Sequence, residues 1–237
     1  MYRILLALFA AWALCSPLLG KSSLRIAVAS NFHPTLVQIA AAYQESHPDT
    51  ELTLIPGSSG KLYAQIANGA TFDAFFSADS ERPQKLENAG IALADTRFTF
   101  ALGILAFWQP GSPAADLSKT QTLALANPKL APFGLAATQA RDSLPFPPHR
   151  SVTASSVSQA FTFAQSGAAD SAFVSYSQLR QLEIPAAEYI LIDPERYAPI
   201  EQQAIALKAS HQLLEFLAYC QSPEAQATIA AAGYRVP

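Results

Sequence analysis

The sequence predicts an α/β fold of two lobes, each a mostly parallel sheet flanked by helices, with a ligand cleft between them. Three observations predict it. Short apolar runs alternate with segments of helical spacing, the pattern of parallel strands covered by helices. That alternation runs its course twice along the chain. Between the two rounds lies a long apolar run, residues 99–108, and strand-like segments at residues 189–192 and 200–207 return after the second round. A chain that leaves one sheet, builds another and comes back makes a double crossover, and ligands in such folds bind beyond the carboxyl ends of the strands. The expected division is a signal segment over residues 1–22, a first lobe of residues 23–101 plus 194–237, and a second lobe of residues 102–193.

Residues 24–29 (LRIAVA) read as a buried strand. Pro34 follows where the first turn of a helix tolerates proline, and Leu36, Val37, Ile39, Ala40 and Tyr43 recur at helical spacing. Residues 50–55 (TELTLI) form a second strand and Gly57-Ser58-Ser59-Gly60 a turn. A helix runs from that turn through Leu62, Tyr63 and Ile66 to the stop signal Asn68-Gly69. Residues 73–77 (DAFFS) are a third strand, and residues 82–89 a helix closed by Gly90. The apolar run 99–108, ended by Pro110-Gly111, reads as the strand that crosses into the second lobe. There residues 123–126 are a strand, Asn127-Pro128 opens a loop, and a helix starts near Phe133-Gly134. A proline-rich loop at 145–148 leads to a short strand at 151–154. Ser155-Ser156 then precedes a helix carrying Val157, Ala160, Phe161 and Ala164, ended by Gly167, and residues 171–175 (SAFVS) are the next strand. After the return strands, two helices split by Ser222-Pro223 close the chain. No repeat of about 20–50 residues recurs, which sets a solenoid aside.

The first residues read as a secretory signal. Arg3 supplies the positive start, residues 4–14 an apolar run without charge, and polar sequence begins at Lys21. The run is too short to span a bilayer. Cleavage is expected between Gly20 and Ser23, and the destination is the periplasm. Of the two cysteines, Cys15 leaves with the signal, so Cys220 stands alone as a small core residue and no intrachain disulfide forms. Half the residues are hydrophobic, 14% are charged and the net charge is −3. A sizeable core is therefore available, while nucleic acid, which needs a concentrated basic footprint, is not an expected partner. A monomer with no cofactor is expected.

The feature that carries chemistry recurs. A strand ends, small polar residues appear, and a helix begins: at Ser30-Asn31, at Ser58-Ser59, near Phe133-Gly134 and at Ser155-Ser156-Val157. Each helix start offers unpaired N–H groups and a partial positive charge, and together they make an anion site without a cationic side chain. The competing reading is that serine and asparagine merely cap helices. Enzyme signals fail. GSSGKL lacks the spacing of a phosphate loop and Leu62 stands where Ser or Thr is needed. No GxSxG elbow surrounds a serine. His33, His47, His149 and His211 lack metal-site spacing. His33 lies near the proposed site but reads as a capping residue. Asp73 and Asp79 flank a strand as caps or turn residues. No enzyme is expected.

At AVASNF (27–32) and PGSSGKLYAQIANGA (56–70) the chain resembles the periplasmic molybdate-binding proteins of ABC transporters, of the type 2 periplasmic-binding-protein fold. The likeness continues through FDAFFSAD (72–79), LANPKLAPFG (125–134), SSVSQAF (155–161) and SPEAQATIAAAGYRVP (222–237), in order along the chain. The resemblance implies a two-lobed protein that closes on molybdate or tungstate and hands it to a membrane permease, the metal being held as an oxyanion without direct metal ligands. It implies contacts from Ser30 by hydroxyl and N–H, Asn31, Ser59 with Ser58 as its neighbour, and backbone N–H groups of Phe133 and Val157. A further contact falls at Ser175, with Tyr176 one place later than the family's tyrosine. Donors without acceptors favour a fully ionised dianion over hydrogen phosphate, whose proton needs an acceptor. Sulfate remains the alternative ligand.

Overall fold

The computed structural model describes residues 22–237. The expected signal segment lies outside the described residues except for Ser22, which opens the first strand.

The first lobe is built on β1 (Ser22–Ala29), α1 (His33–Ser46), β2 (Thr50–Gly57), α2 (Ser59–Ala67), β3 (Ala74–Ser77) and α3 (Glu81–Asn88), followed by β4 (Phe98–Gly103). β1 pairs in parallel with β2 and β3. Such a strand is covered on both faces, which is why IAVA is apolar without alternation. Ile26 and Val28 enter the cluster around Leu36, Phe76 and Phe216, while Ala27 faces the opposite cluster around Leu62, Phe75 and Leu86.

The chain then enters the second lobe. In order come β5 (Leu105–Trp108), β6 (Thr122–Ala126), α4 (Pro132–Ser143), β7 (Arg150–Ala154), α5 (Val157–Gln165), β8 (Ser171–Ser175), α6 (Tyr176–Gln181) and β9 (Tyr189–Leu191). It returns through β10 (Ile200–Ala206) and ends with α7 (His211–Tyr219) and α8 (Pro223–Ala231). The described residues form two five-stranded sheets, ordered β2-β1-β3-β10-β4 and β7-β6-β8-β5-β9. In each, one strand runs against its neighbours: β10 pairs antiparallel with β3 and β4, and β5 with β8 and β9. The other strands of each sheet run one way, which gives the mostly parallel lobes expected from the sequence.

The apolar run 99–108 is not one strand. It parts at Ile104 into β4 of the first sheet and β5 of the second. Both halves are apolar because both are core strands, so hydropathy does not mark the change of sheet. α6 also has no counterpart in the sequence reading; it follows β8 without a loop.

The helices that matter start where parallel strands end. α1 and α2 follow β1 and β2, while α4 and α5 follow β6 and β7. Gly134 shows how closely α4 is set on its strand: a Cβ there would stand 2.3 Å from the carbonyl oxygen of Ala126. These four helix starts face one another across the cleft between the lobes.

Candidate functional site

Residues from all four helix starts line one small cavity. Ser30 and Asn31 come from the β1–α1 turn, Ser58 and Ser59 from the start of α2, Phe133 from α4, and Ser156 and Val157 from α5. The space between them is about 10 Å³ for the centre of a water-sized group, far below the several hundred Å³ of an organic-ligand pocket. Among the described residues, no Lys, Arg, His, Asp or Glu lines it.

Capping does not consume these helix ends. The starts of α1, α2 and α4 follow Phe32, Ser58 and Ala131, and none of them receives a side-chain cap. Away from the cavity the contrast is plain: Ser210 and Ser222 accept from N–H groups of α7 and α8. At α5 alone, Ser156 caps, accepting from Gln159 N–H. Among the described residues, the backbone N–H groups of Asn31, Ser59, Phe133 and Val157 have no acceptor. Buried N–H groups are rarely left so, since each forfeits the water it had in the unfolded chain.

The hydroxyls add to these donors. Ser59 Oγ accepts from Ala78 N–H at 2.9 Å, so its lone pair is engaged and its proton is free to point elsewhere. Ser58 Oγ, buried, has no partner among the described residues. Ser30 contributes less than expected. Its N–H donates to Gly57 O at 2.9 Å, extending the β1–β2 ladder by one bond, so its hydroxyl alone is available.

Asn31 lines the cavity with an N–H that has no acceptor among the described residues, while its side chain serves the scaffold. Its Nδ2 donates to Gln202 Oε1 at 2.8 Å and to Tyr234 Oη at 3.2 Å. Tyr234 Oη donates in turn to Asn31 O at 2.8 Å and accepts from Ser177 Oγ at 2.8 Å. A β10 irregularity between Gln202 and Gln203 accompanies this arrangement. Burial pushes the Tyr234 phenol up to about 12, against the downward pull of its hydrogen bonds to Ser177 and Asn31.

Ser175 does not line the cavity. It is fully buried, its Oγ 2.8 Å from Ser177 Oγ and its N–H bonded to Gln178 Oε1 at 3.1 Å. Tyr176 packs instead against Tyr189. His33 opens α1 outside the cavity wall, and burial lowers its pKa. The structure thus brings Ser30, Asn31, Ser59, Phe133 and Val157 together and leaves Ser175 out. Sequence reasoning missed Tyr234, Gln202 and Ser177. A glutamine pair inside the apolar segment IEQQAIA was the available signal for Gln202; no local pattern marks Tyr234.

A family model described as bacterial extracellular solute-binding protein matches residues 24–235. The molybdate-binding protein ModA of Rhodobacter capsulatus is 35% identical over 88% of this chain and 86% of that one. ModA of Azotobacter vinelandii is 32% identical over 98% and 96%. The solved periplasmic molybdate-binding protein of Azotobacter vinelandii superposes with a TM-score of 0.79 at 35% identity, covering 90% of this chain and 99% of that one. A sulfate-binding protein of Mycobacterium tuberculosis, at 16% identity and a TM-score of 0.72, shares the fold. By the extent of these matches and by its two-lobed architecture, the chain belongs to the bacterial extracellular solute-binding proteins.

Proposed function

We propose that the protein captures molybdate or tungstate between its lobes and delivers it to an ABC-type uptake transporter in the membrane. The observation that carries this is the set of N–H groups of Asn31, Ser59, Phe133 and Val157. They are without acceptors among the described residues and come from both lobes onto one small cavity. Helix starts supply the positive potential that no side chain provides. Each hydrogen bond to a charged guest contributes roughly 1.5–3 kcal/mol, so a handful supports micromolar affinity, about −8 kcal/mol, after the costs of ordering. Among the described residues, no carboxylate or imidazole lines the cavity to receive the proton of hydrogen phosphate. The similarity to the two ModA proteins favours molybdate over sulfate.

The role is capture without catalysis, by a periplasmic monomer exported through its signal segment. The cargo metal arrives already clothed in oxygen and needs no protein ligand or cofactor. Titration calorimetry of the mature chain with molybdate, tungstate, sulfate and phosphate tests the reading. Molybdate and tungstate bind at micromolar concentration or below, sulfate more weakly and phosphate most weakly. Phosphate binding as tightly as molybdate, or no oxyanion binding at all, would sink it.

A further inference from the structure

The two lobes also touch beside the cavity, next to its wall on both sides. Gly60, adjacent to Ser59, donates its N–H to Leu130 O at 2.8 Å. Arg82 of α3 donates from Nη2 to Lys129 O at 3.1 Å. The acceptors are consecutive main-chain carbonyls in the loop that leads to Ala131 and Phe133 of the cavity wall. Arg82 is itself held from behind. Its Nη1 pairs with Asp79, whose Oδ1 accepts from Ser77 Oγ at 2.9 Å and from Arg82 N–H at 3.1 Å. The pair is largely shielded, the two side chains being 17% and 18% exposed.

We propose that Arg82 is a positioning residue that clasps the second lobe shut over the ligand, with Gly60 as the notch in which the Leu130 backbone seats. Neither residue lines the cavity. Asp79 neutralises the guanidinium and fixes its plane, so Arg82 acts by reach and orientation rather than as a cation for the guest. The notch requires glycine, because a Cβ on Gly60 would lie 2.8 Å from Leu130 O and 3.0 Å from Leu130 Cα. Both contacts exist only while the lobes are together, so they bias the closed arrangement. Apparent affinity scales with the fraction of molecules in that arrangement. The clasp therefore tunes affinity and release without touching the ion. This inference rests on the cavity being the oxyanion site.

Arg82→Ala, Arg82→Lys and Gly60→Ala, each in the mature chain, test it. Two readouts are needed: calorimetric affinity for molybdate, and the distance between spin labels on cysteines placed at exposed Glu45 and Lys119, one on each lobe. Cys220 is buried and escapes the label. Arg82→Ala and Gly60→Ala are expected to lower affinity by about tenfold, the scale of one charged hydrogen bond. Both keep a population of separated lobes at saturating molybdate. Lysine at position 82 lacks the fork that serves Asp79 and Lys129 at once, so it does not restore the wild-type distance. Wild-type affinity and wild-type distances in Arg82→Ala overturn the clasp. If the unmutated protein ignores molybdate, the functional reading fails first, and the ligand-free distances then judge the clasp alone: identical distributions in the three variants and the parent overturn it.

Discussion

Val157 and Tyr234 show how differently single residues serve the site. Val157 offers the cavity an N–H without an acceptor among the described residues, at the first position of α5 after Ser156 in an extended conformation, while its side chain is buried in the core. Proline is tolerated at that position but has no N–H to give. Val157→Ala should therefore leave molybdate affinity within about threefold, whereas Val157→Pro should weaken it by roughly 10–100-fold, one charged hydrogen bond; both variants lose the buried valine side chain, so the comparison between them isolates the N–H. Equal affinities for the two variants would remove Val157 from the site. Tyr234 acts from behind the wall by holding Asn31. Tyr234→Phe deprives Asn31 and Ser177 of a buried partner and should cost about 1–3 kcal/mol of stability, read by denaturant unfolding. Its phenol is pushed up to about 12 in the fold, from an ordinary value of 10.0. The fold prefers the protonated form, so its contribution is fully present below the unfolded value and is lost as pH rises through the window between the two. Tyr234→Phe should flatten that alkaline loss. Much of the wall was legible: small polar residues between a strand and a helix marked Ser30, Asn31, Ser59 and Val157. Which hydrogen on each is free was not legible. The Ser30 N–H is spent on Gly57, Ser175 is spent on Ser177 and Gln178, and Asn31 leans on partners 171 and 203 residues away.

The helix starts are not capped alike. α7 and α8 carry serine caps, while α1, α2 and α4 begin without one at the cavity. Leaving a helix start uncapped sacrifices about 0.5–2 kcal/mol, and these starts keep unpaired donors. A substitution that supplies the cap should reverse the trade. Ser58→Asp places a carboxylate at the N-cap of α2, where it accepts from the first turn and meets the helix dipole. Ligand-free melting should stay level or rise, and molybdate binding should disappear through occupation of the donors and like-charge repulsion. Retained binding would show that the α2 start is not part of the anion site. At this scale the sequence spoke clearly, because apolar runs buried on both faces are unmistakable and helix stops such as Asn68-Gly69 are local. It was silent where one apolar run serves two sheets, as at Ile104, and where a short helix such as α6 follows its strand with no intervening turn.

At the scale of the molecule, the lobes differ in how the chain supplies them. The strands of the second sheet, β5 through β9, are contiguous in the chain. The first sheet is not: β10, nearly 100 residues after β4, slots between β3 and β4 and is covered by α7 and α8. A nascent chain that has reached residue 191 owns every strand of one lobe and still lacks the strand that joins the two parts of the other. Biosynthesis and refolding are thus given an order, with the middle of the polypeptide maturing before its beginning. Pulse-labelled hydrogen exchange during refolding should find the amides of β6 and β8 protected ahead of those of β4, and simultaneous protection would contradict it. A ribosome stalled before residue 200 would leave β3 and β4 as two bare edges, the raw material of aggregation rather than half of a working transporter component.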